Sequence, residues 1–275
     1  MPDTNPPPVA AARSTTTASK GRTIESASSE KTEIPRLLHF VLQGKGGVGK
    51  TMVALLLSQC IADKGEPVAC IDTDPVNSSF SSLSTLPADR VSIFNGNKVD
   101  TRALDVFTER LITEDANFVV DNGASSFVPI SHYLLENDVW GMLVEEGRLP
   151  VVHVVITGGP GMLDTMKGLA SILADFPPSV RIVVWVNEFF GPLMNASGKG
   201  FEELPVYLDN RERIFGIVRL PQFSEEATSD LRDMLAKKIT FADALRKENT
   251  AMLRMQKSRL FKVREAIWPQ IERVI

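Results

Sequence analysis

The chain has 275 residues, 43% of them hydrophobic, with 30 lysines and arginines against 34 aspartates and glutamates and a net charge of −4. That length supports one large α/β domain or two small ones, and the near balance of charge excludes wholesale nucleic-acid binding while leaving room for a local basic patch. The two cysteines, Cys60 and Cys70, sit in apolar runs and read as small core residues of a cytoplasmic protein rather than a disulfide.

Residues 1–34 are rich in Pro, Ser, Thr and Ala. They lack the apolar stretch of a secretory signal and cannot bury enough surface to offset chain entropy, so a disordered tail is expected. No apolar run approaches the length a bilayer needs, and no membrane insertion is expected. From residue 35 onward, short apolar runs alternate with helical periods. "LLHFVLQ" (37–43) is a strand, Lys50–Lys64 a helix ending at Gly65, and "PVACID" (67–72) a second strand. "VSIFN" (91–95) reads as a short third strand, Thr101–Ile112 as a helix, and "NFVVDNG" (117–123) as a strand ending in an acid and a turn. "VVHVVITGG" (151–159) and "VRIVVWVNE" (180–188) are strands separated by a helix over Met162–Ala174, and "RIFGIVRLP" (213–221) is the last strand.

These strands are apolar on both faces, as in a parallel sheet covered by helices on both sides. The expectation is an α/β, doubly wound, mostly parallel sheet of P-loop type spanning 35–223, followed by a helical extension over 224–275. In that extension Leu253, Leu260, Val263, Ile267, Ile271 and Val274 share one face of a helix starting near Thr250, kinked or restarted by Pro269. Its basic residues, Arg254, Lys257, Arg259, Lys262 and Arg264, leave two readings: an ordinary packed helix, or a surface that binds anionic membrane or DNA.

Gly44-Lys45-Gly46-Gly47-Val48-Gly49-Lys50-Thr51 satisfies G-x-x-x-x-G-K-[ST] between a buried strand and a helix. The glycines let successive N–H groups converge on an anion at a helix N-terminus. Lys50 is placed to reach the β/γ oxygens of a nucleotide and the Thr51 hydroxyl to ligate Mg²⁺. The general motif does not require Lys45, which reads either as a second cation for phosphate or as a solvated surface lysine. Asp72 and Asp74 in "IDTDPVNS" and Asp121 in "NFVVDNG" end strands at the carboxyl edge of the sheet, where acids serve a metal site or cap a loop. The three histidines, His39, His132 and His153, are scattered and pair with neither cysteine at metal-ligand spacing.

The run "KGGVGKT" resembles the deviant Walker A motif of the ParA/MinD family of dimerising ATPases, whose signature is the first lysine. "DNGASSFVPISHYL", "VNEFFGPL" and "GKGFEELPVY" resemble the TraL-type branch that serves conjugal transfer. The resemblance runs from about Pro35 to about Gln222. It implies binding of ATP with Mg²⁺ and a nucleotide-dependent homodimer in which Lys45 reaches the partner's nucleotide. It implies nucleotide contacts from Gly44, Gly46, Gly47, Val48, Gly49, Lys50, Thr51 and Met52, and metal ligation by Thr51, Asp72 and Asp121. Asp74 takes the role of positioning the attacking water, while Asn187 and Pro221 line the base. Val76 and Asn77 stand where the family usually carries Gln. Adenine follows from the absence of the N-K-x-D guanine reader, since Glu188 succeeds Asn187. The implied role is positioning or recruiting a transfer or secretion assembly through a protein partner. A DNA-binding partition ATPase, a non-hydrolysing scaffold and a small-molecule ligase of related fold are the rivals.

Overall fold

The computed structural model describes residues 35–74, 80, 86–96 and 98–275. The expected tail over 1–34 and the departures at Val76 and Asn77 lie outside them. In chain order the elements are β1 (Leu37–Leu42), α1 (Lys50–Asp63), β2 (Val68–Asp72), β3 (Ala88–Arg90), β4 (Phe94–Asn95), β5 (Lys98–Val99) and α2 (Thr101–Thr113). There follow β6 (Asn117–Asp121), α3 (Phe127–Glu136), α4 (Val139–Glu145), β7 (Leu149–Thr157), α5 (Met162–Asp175), β8 (Arg181–Asn187) and α6 (Pro205–Leu208). β9 (Ile214–Leu220), α7 (Glu225–Ala236), α8 (Phe241–Leu245) and α9 (Arg254–Ile271) complete the chain.

Seven strands form one sheet in the order β3-β2-β6-β1-β7-β8-β9, every pair parallel. Alternation along each strand feeds two cores. Leu38, Phe40 and Leu42 face the layer that holds Trp140 and Leu169, and Val41 faces the layer that holds Leu57, Cys60, Cys70 and Trp268. Both cysteines are free and buried, and burial pushes each thiol up to about 12, which leaves them unreactive. The chain leaves β1 for β2 on one side of the sheet and later returns to β7 on the other side of β1. The carboxyl end of β1 is therefore the switch point, where ligands of such sheets bind.

Three expectations need correction. The third parallel strand is Ala88–Arg90, paired with β2, whereas Phe94–Asn95 of "VSIFN" pairs antiparallel with Lys98–Val99 in a separate hairpin. Helices α3 and α4 fill a stretch that carried no expected element. Pro129 lies in the first turn of α3, where its missing N–H has no helical acceptor to lose. Helix α9 begins at Arg254, and Leu253 is an exposed N-cap rather than part of the apolar face. Pro269 sits inside the last turn of α9, so it removes one hydrogen bond close to where the helix already ends.

Leu260, Val263, Ile267 and Ile271 of α9 are buried, as is Val274 just beyond it, and three of its cations are tied to neighbouring elements, while Arg254 and Lys262 stay exposed. Arg259 pairs with Asp230 at 2.5 Å, Arg264 pairs with Asp63 at 2.8 Å, and the Lys257 ammonium donates to the carbonyls of Arg246 and Asn249. This is the packed helix of the two readings. Of the arginines near the last strand, Arg213 donates to the Phe176 and Pro177 carbonyls and Arg219 pairs with Glu188 and Glu202. Among the described residues no helix is long and apolar enough to cross a membrane.

A polar chain crosses the core beneath the sheet. The Trp185 indole N–H donates to His153 Nδ1 at 2.9 Å, and His153 Nε2 lies 2.9 Å from His39 Nδ1. An indole only donates, so Nδ1 of His153 is an acceptor and its Nε2–H donates to His39. Both rings are fully buried, and burial depresses the pKa of His39 to about 3 and that of His153 well below 6.5. The unfolded chain therefore takes up these protons first as pH falls. Stability from the pair is complete above pH 6.5 and is lost below it, by about 1.4 kcal/mol per pH unit for each histidine. Urea unfolding between pH 7.5 and 5.5 is expected to show that slope in the native chain and not in His39→Leu/His153→Leu. Equal slopes would mean that the pair protonates in place.

Candidate functional site

The loop from Gln43 to Gly49 joins β1 to α1 at the switch point. Gly47 and Gly49 have φ of +72° and +102°, values that side chains with a Cβ rarely adopt. A Cβ on Gly49 would also stand 2.9 Å from Asn187 Nδ2. The Lys50 side chain is nearly buried and its ammonium donates to the Lys45 carbonyl at 2.9 Å, curling over the loop it would serve. Burial lowers its pKa, and the carboxylates of Asp121 and Asp74 oppose that shift.

Asp72 and Asp121 stand side by side as register partners on adjacent strands, both buried. The Thr51 hydroxyl donates to Asp121 Oδ2 at 2.7 Å, while Asp121 Oδ1 is buried with no hydrogen-bond partner among the described residues. Burial pushes the Asp121 carboxyl up to about 6; the Thr51 hydroxyl and Lys50 pull it down, and Asp72 and Asp74 push it up further. A hydroxyl, adjacent buried carboxylates and an unused carboxylate oxygen form an all-oxygen donor set. That set fits Mg²⁺, which binds through one or two carboxylates together with substrate phosphates.

The segment after β2 is fastened to the one after β6. Asp74 N–H donates to Asp72 Oδ1 at 2.9 Å, the Thr73 hydroxyl to Asn122 Oδ1 at 2.7 Å, and the Ser126 hydroxyl to the Thr73 carbonyl at 2.9 Å. Asp74 lies against Gly123, where a Cβ would come within 2.7 Å of its Cγ. Lys45 points elsewhere: its ammonium pairs with Asp164, in the first turn of α5, at 2.8 Å, with both side chains about half exposed. Asp164 belongs to the "GGPGMLDT" stretch (158–165) after β7, which thereby contacts the signature lysine.

Asn187 ties β8 to the loop. Its amide donates to the Val48 carbonyl at 2.9 Å and its oxygen accepts from Phe189 N–H at 3.1 Å, which spends half of its hydrogen-bonding capacity. Beside it lies a hollow of about 240 Å³ that gathers Gly47, Gly49, Met52, Asn187 and Pro221, positions named from sequence, with Phe189, Phe223 and Arg232, which were not. The "EFFG" aromatic pair after Asn187 was the one available signal for Phe189. Nothing local in α7 marks Arg232, nor does anything around Gln43 mark its bond to the Thr165 carbonyl of α5.

Comparison with known proteins bears on the same residues. The family model for the CobQ/CobB/MinD/ParA nucleotide binding domain matches residues 39–254. A protein of Escherichia coli, Protein TraL, is 41% identical over 236 residues, covering 86% of this chain and 97% of that protein. ATPase GET3B of Arabidopsis thaliana is 28% identical over 229 residues, 82% of this chain and 53% of that protein. A solved ParA family ATPase from Chlorobium tepidum TLS aligns with a TM-score of 0.49 at 14% identity, covering 86% of this chain and 96% of that one. The chain belongs to the CobQ/CobB/MinD/ParA family of nucleotide-binding domains and, within it, stands with the TraL proteins.

Proposed function

We propose that the chain is a Mg·ATP-dependent switch that pairs face to face with a second copy and hydrolyses ATP slowly to separate again, positioning or recruiting a conjugal-transfer or secretion assembly in the cytoplasm. The convergence of Lys50, Thr51, Asp72 and Asp121 on the glycine loop carries this reading. The N–H groups of the loop and the Lys50 ammonium neutralise the β- and γ-phosphates. Thr51, Asp72 and Asp121 would hold Mg²⁺, which when bound supplies Lewis-acid polarisation of the phosphate oxygens. Asp74, anchored through its own N–H, orients the attacking water. Lys45 leaves Asp164 for the partner's nucleotide, and little resists the move, because water screens so exposed an ion pair. The likeness to TraL supports the transfer role, and the engagement of Lys257, Arg259 and Arg264 within the fold speaks against a DNA-binding partition role.

Light scattering with Mg·ATP tests the switch. The native chain and Asp74→Ala are expected to dimerise, the variant persistently, while Lys45→Ala stays monomeric. A mass that responds to nucleotide in none of the three would refute the face-to-face dimer.

A further inference from the structure

The hollow beside the loop is walled mainly by apolar side chains such as Met52, Leu220, Pro221 and Leu231. Two of its lining residues do not behave as packed wall. Phe189 keeps 44% of its surface exposed and meets Phe190 edge-on at 5.0 Å. Arg232, projecting from α7, is exposed and forms no ion pair among the described residues. Its guanidinium lies over the Phe189 ring, 5.8 Å from the centroid. A planar cation over an aromatic ring in the lining of an apolar hollow, with no counter-ion among the described residues, is arranged to receive a flat, electron-rich group between the two.

We infer that Phe189 and Arg232 form a clamp on the base of the bound nucleotide, the ring stacking on one face and the guanidinium on the other. This rests on the nucleotide-binding reading of the loop and deepens it. Two stacking contacts need about 7 Å between the outer planes, twice an ordinary carbon–carbon contact. The present 5.8 Å is short of that by an amount that one rotamer adjustment of a long, exposed side chain supplies. The clamp also reassigns Asn187. With half of its amide spent on Val48 and Phe189, Asn187 positions Phe189 and the loop, and the clamp supplies most of the hold on the base. Stacking of this kind favours large purine rings over pyrimidines without reading their edges. It also makes α7, which lies beyond the domain boundary read from sequence, part of the nucleotide site.

Calorimetric titration of the full chain with Mg·ATP, Mg·CTP and Mg·tripolyphosphate tests the clamp. Arg232→Ala and Phe189→Leu are each expected to weaken ATP about tenfold, the scale of one lost stacking partner. Both variants should bind tripolyphosphate as the native chain does, which also shows that they are folded. Arg232→Lys should remain weakened, because an ammonium has no plane to stack, and the native preference for ATP over CTP should shrink in all three variants. Unchanged ATP affinity in the variants, with a native chain that binds ATP, would overturn the clamp and leave nucleotide binding standing. Full rescue by Arg232→Lys would overturn the stacking role. A native chain that binds neither ATP nor tripolyphosphate would overturn the nucleotide reading and the clamp with it.

Discussion

Replacing Lys50 with methionine is expected to weaken Mg·ATP binding at least about 100-fold while leaving the fold intact. The ammonium is nearly buried and already aimed along the loop, donating to the Lys45 carbonyl. Charge-assisted hydrogen bonds to phosphate in so poorly solvated a place are worth about 3 kcal/mol, which is that factor of 100. Stability moves the other way or hardly at all. Methionine has a similar length and removes a desolvated cation, whose burial is what lowers the Lys50 pKa, at the expense of one carbonyl contact and of a charge near Asp121. The opposing changes leave the unfolding free energy within about 1 kcal/mol of the native value. Calorimetry and urea unfolding on the same preparation check both halves. A variant that binds Mg·ATP as tightly as the native chain would mean that the phosphates do not lie on this loop.

Gly123→Ala is expected to slow phosphate release about 100-fold with ATP binding retained, since misplacing a reacting group by about 1 Å can cost that much. The added Cβ would fall 2.7 Å from Asp74 Cγ, 2.9 Å from its Oδ1 and 3.1 Å from its backbone Cα. Backbone atoms cannot swing aside as a flexible tip can, so Asp74 must shift. The three atoms nearest to that Cβ all belong to Asp74 rather than to Thr51 or the glycine loop, so the nucleotide is expected to stay bound. The forced displacement is also expected to reduce stability by about 1–3 kcal/mol, the usual range for overpacking. A phosphate-release assay under saturating Mg·ATP measures the effect. Native-rate turnover would show that the position of Asp74 does not govern hydrolysis.

Much of the architecture is legible in the sequence. Buried parallel strands announce themselves as largely apolar runs rich in Val, Ile and Leu, and β1, β6, β7 and β8 all read that way. The phosphate loop is equally local, because convergent N–H groups demand glycines at set positions, and Gly47 and Gly49 adopt the positive φ that the spacing implies. Elements held in place by neighbours rather than by their own periodicity were harder to read. The three-residue strand Ala88–Arg90 owes its existence to pairing with β2, and α3 opens on a segment whose Pro129 reads as a breaker.

The strand–loop–helix that would cradle phosphate, the acids at the strand ends, and membership of a nucleotide-binding family all rest on short runs of neighbouring residues and can be read from them. The three-dimensional fold is what sets the contacts of the side chains. It paired Lys45 with Asp164, 119 positions away, spent the Asn187 amide on Val48 across 139 positions, and set Thr51 on Asp121 across 70. It also brought Arg232 over Phe189 and paired Arg259 and Arg264 of α9 with Asp230 and Asp63. Such contacts depend on how the strands are ordered and how the helices lie upon them. Residue type and spacing carry no record of that order, because any exposed cation can find a carboxylate until the fold brings one within reach.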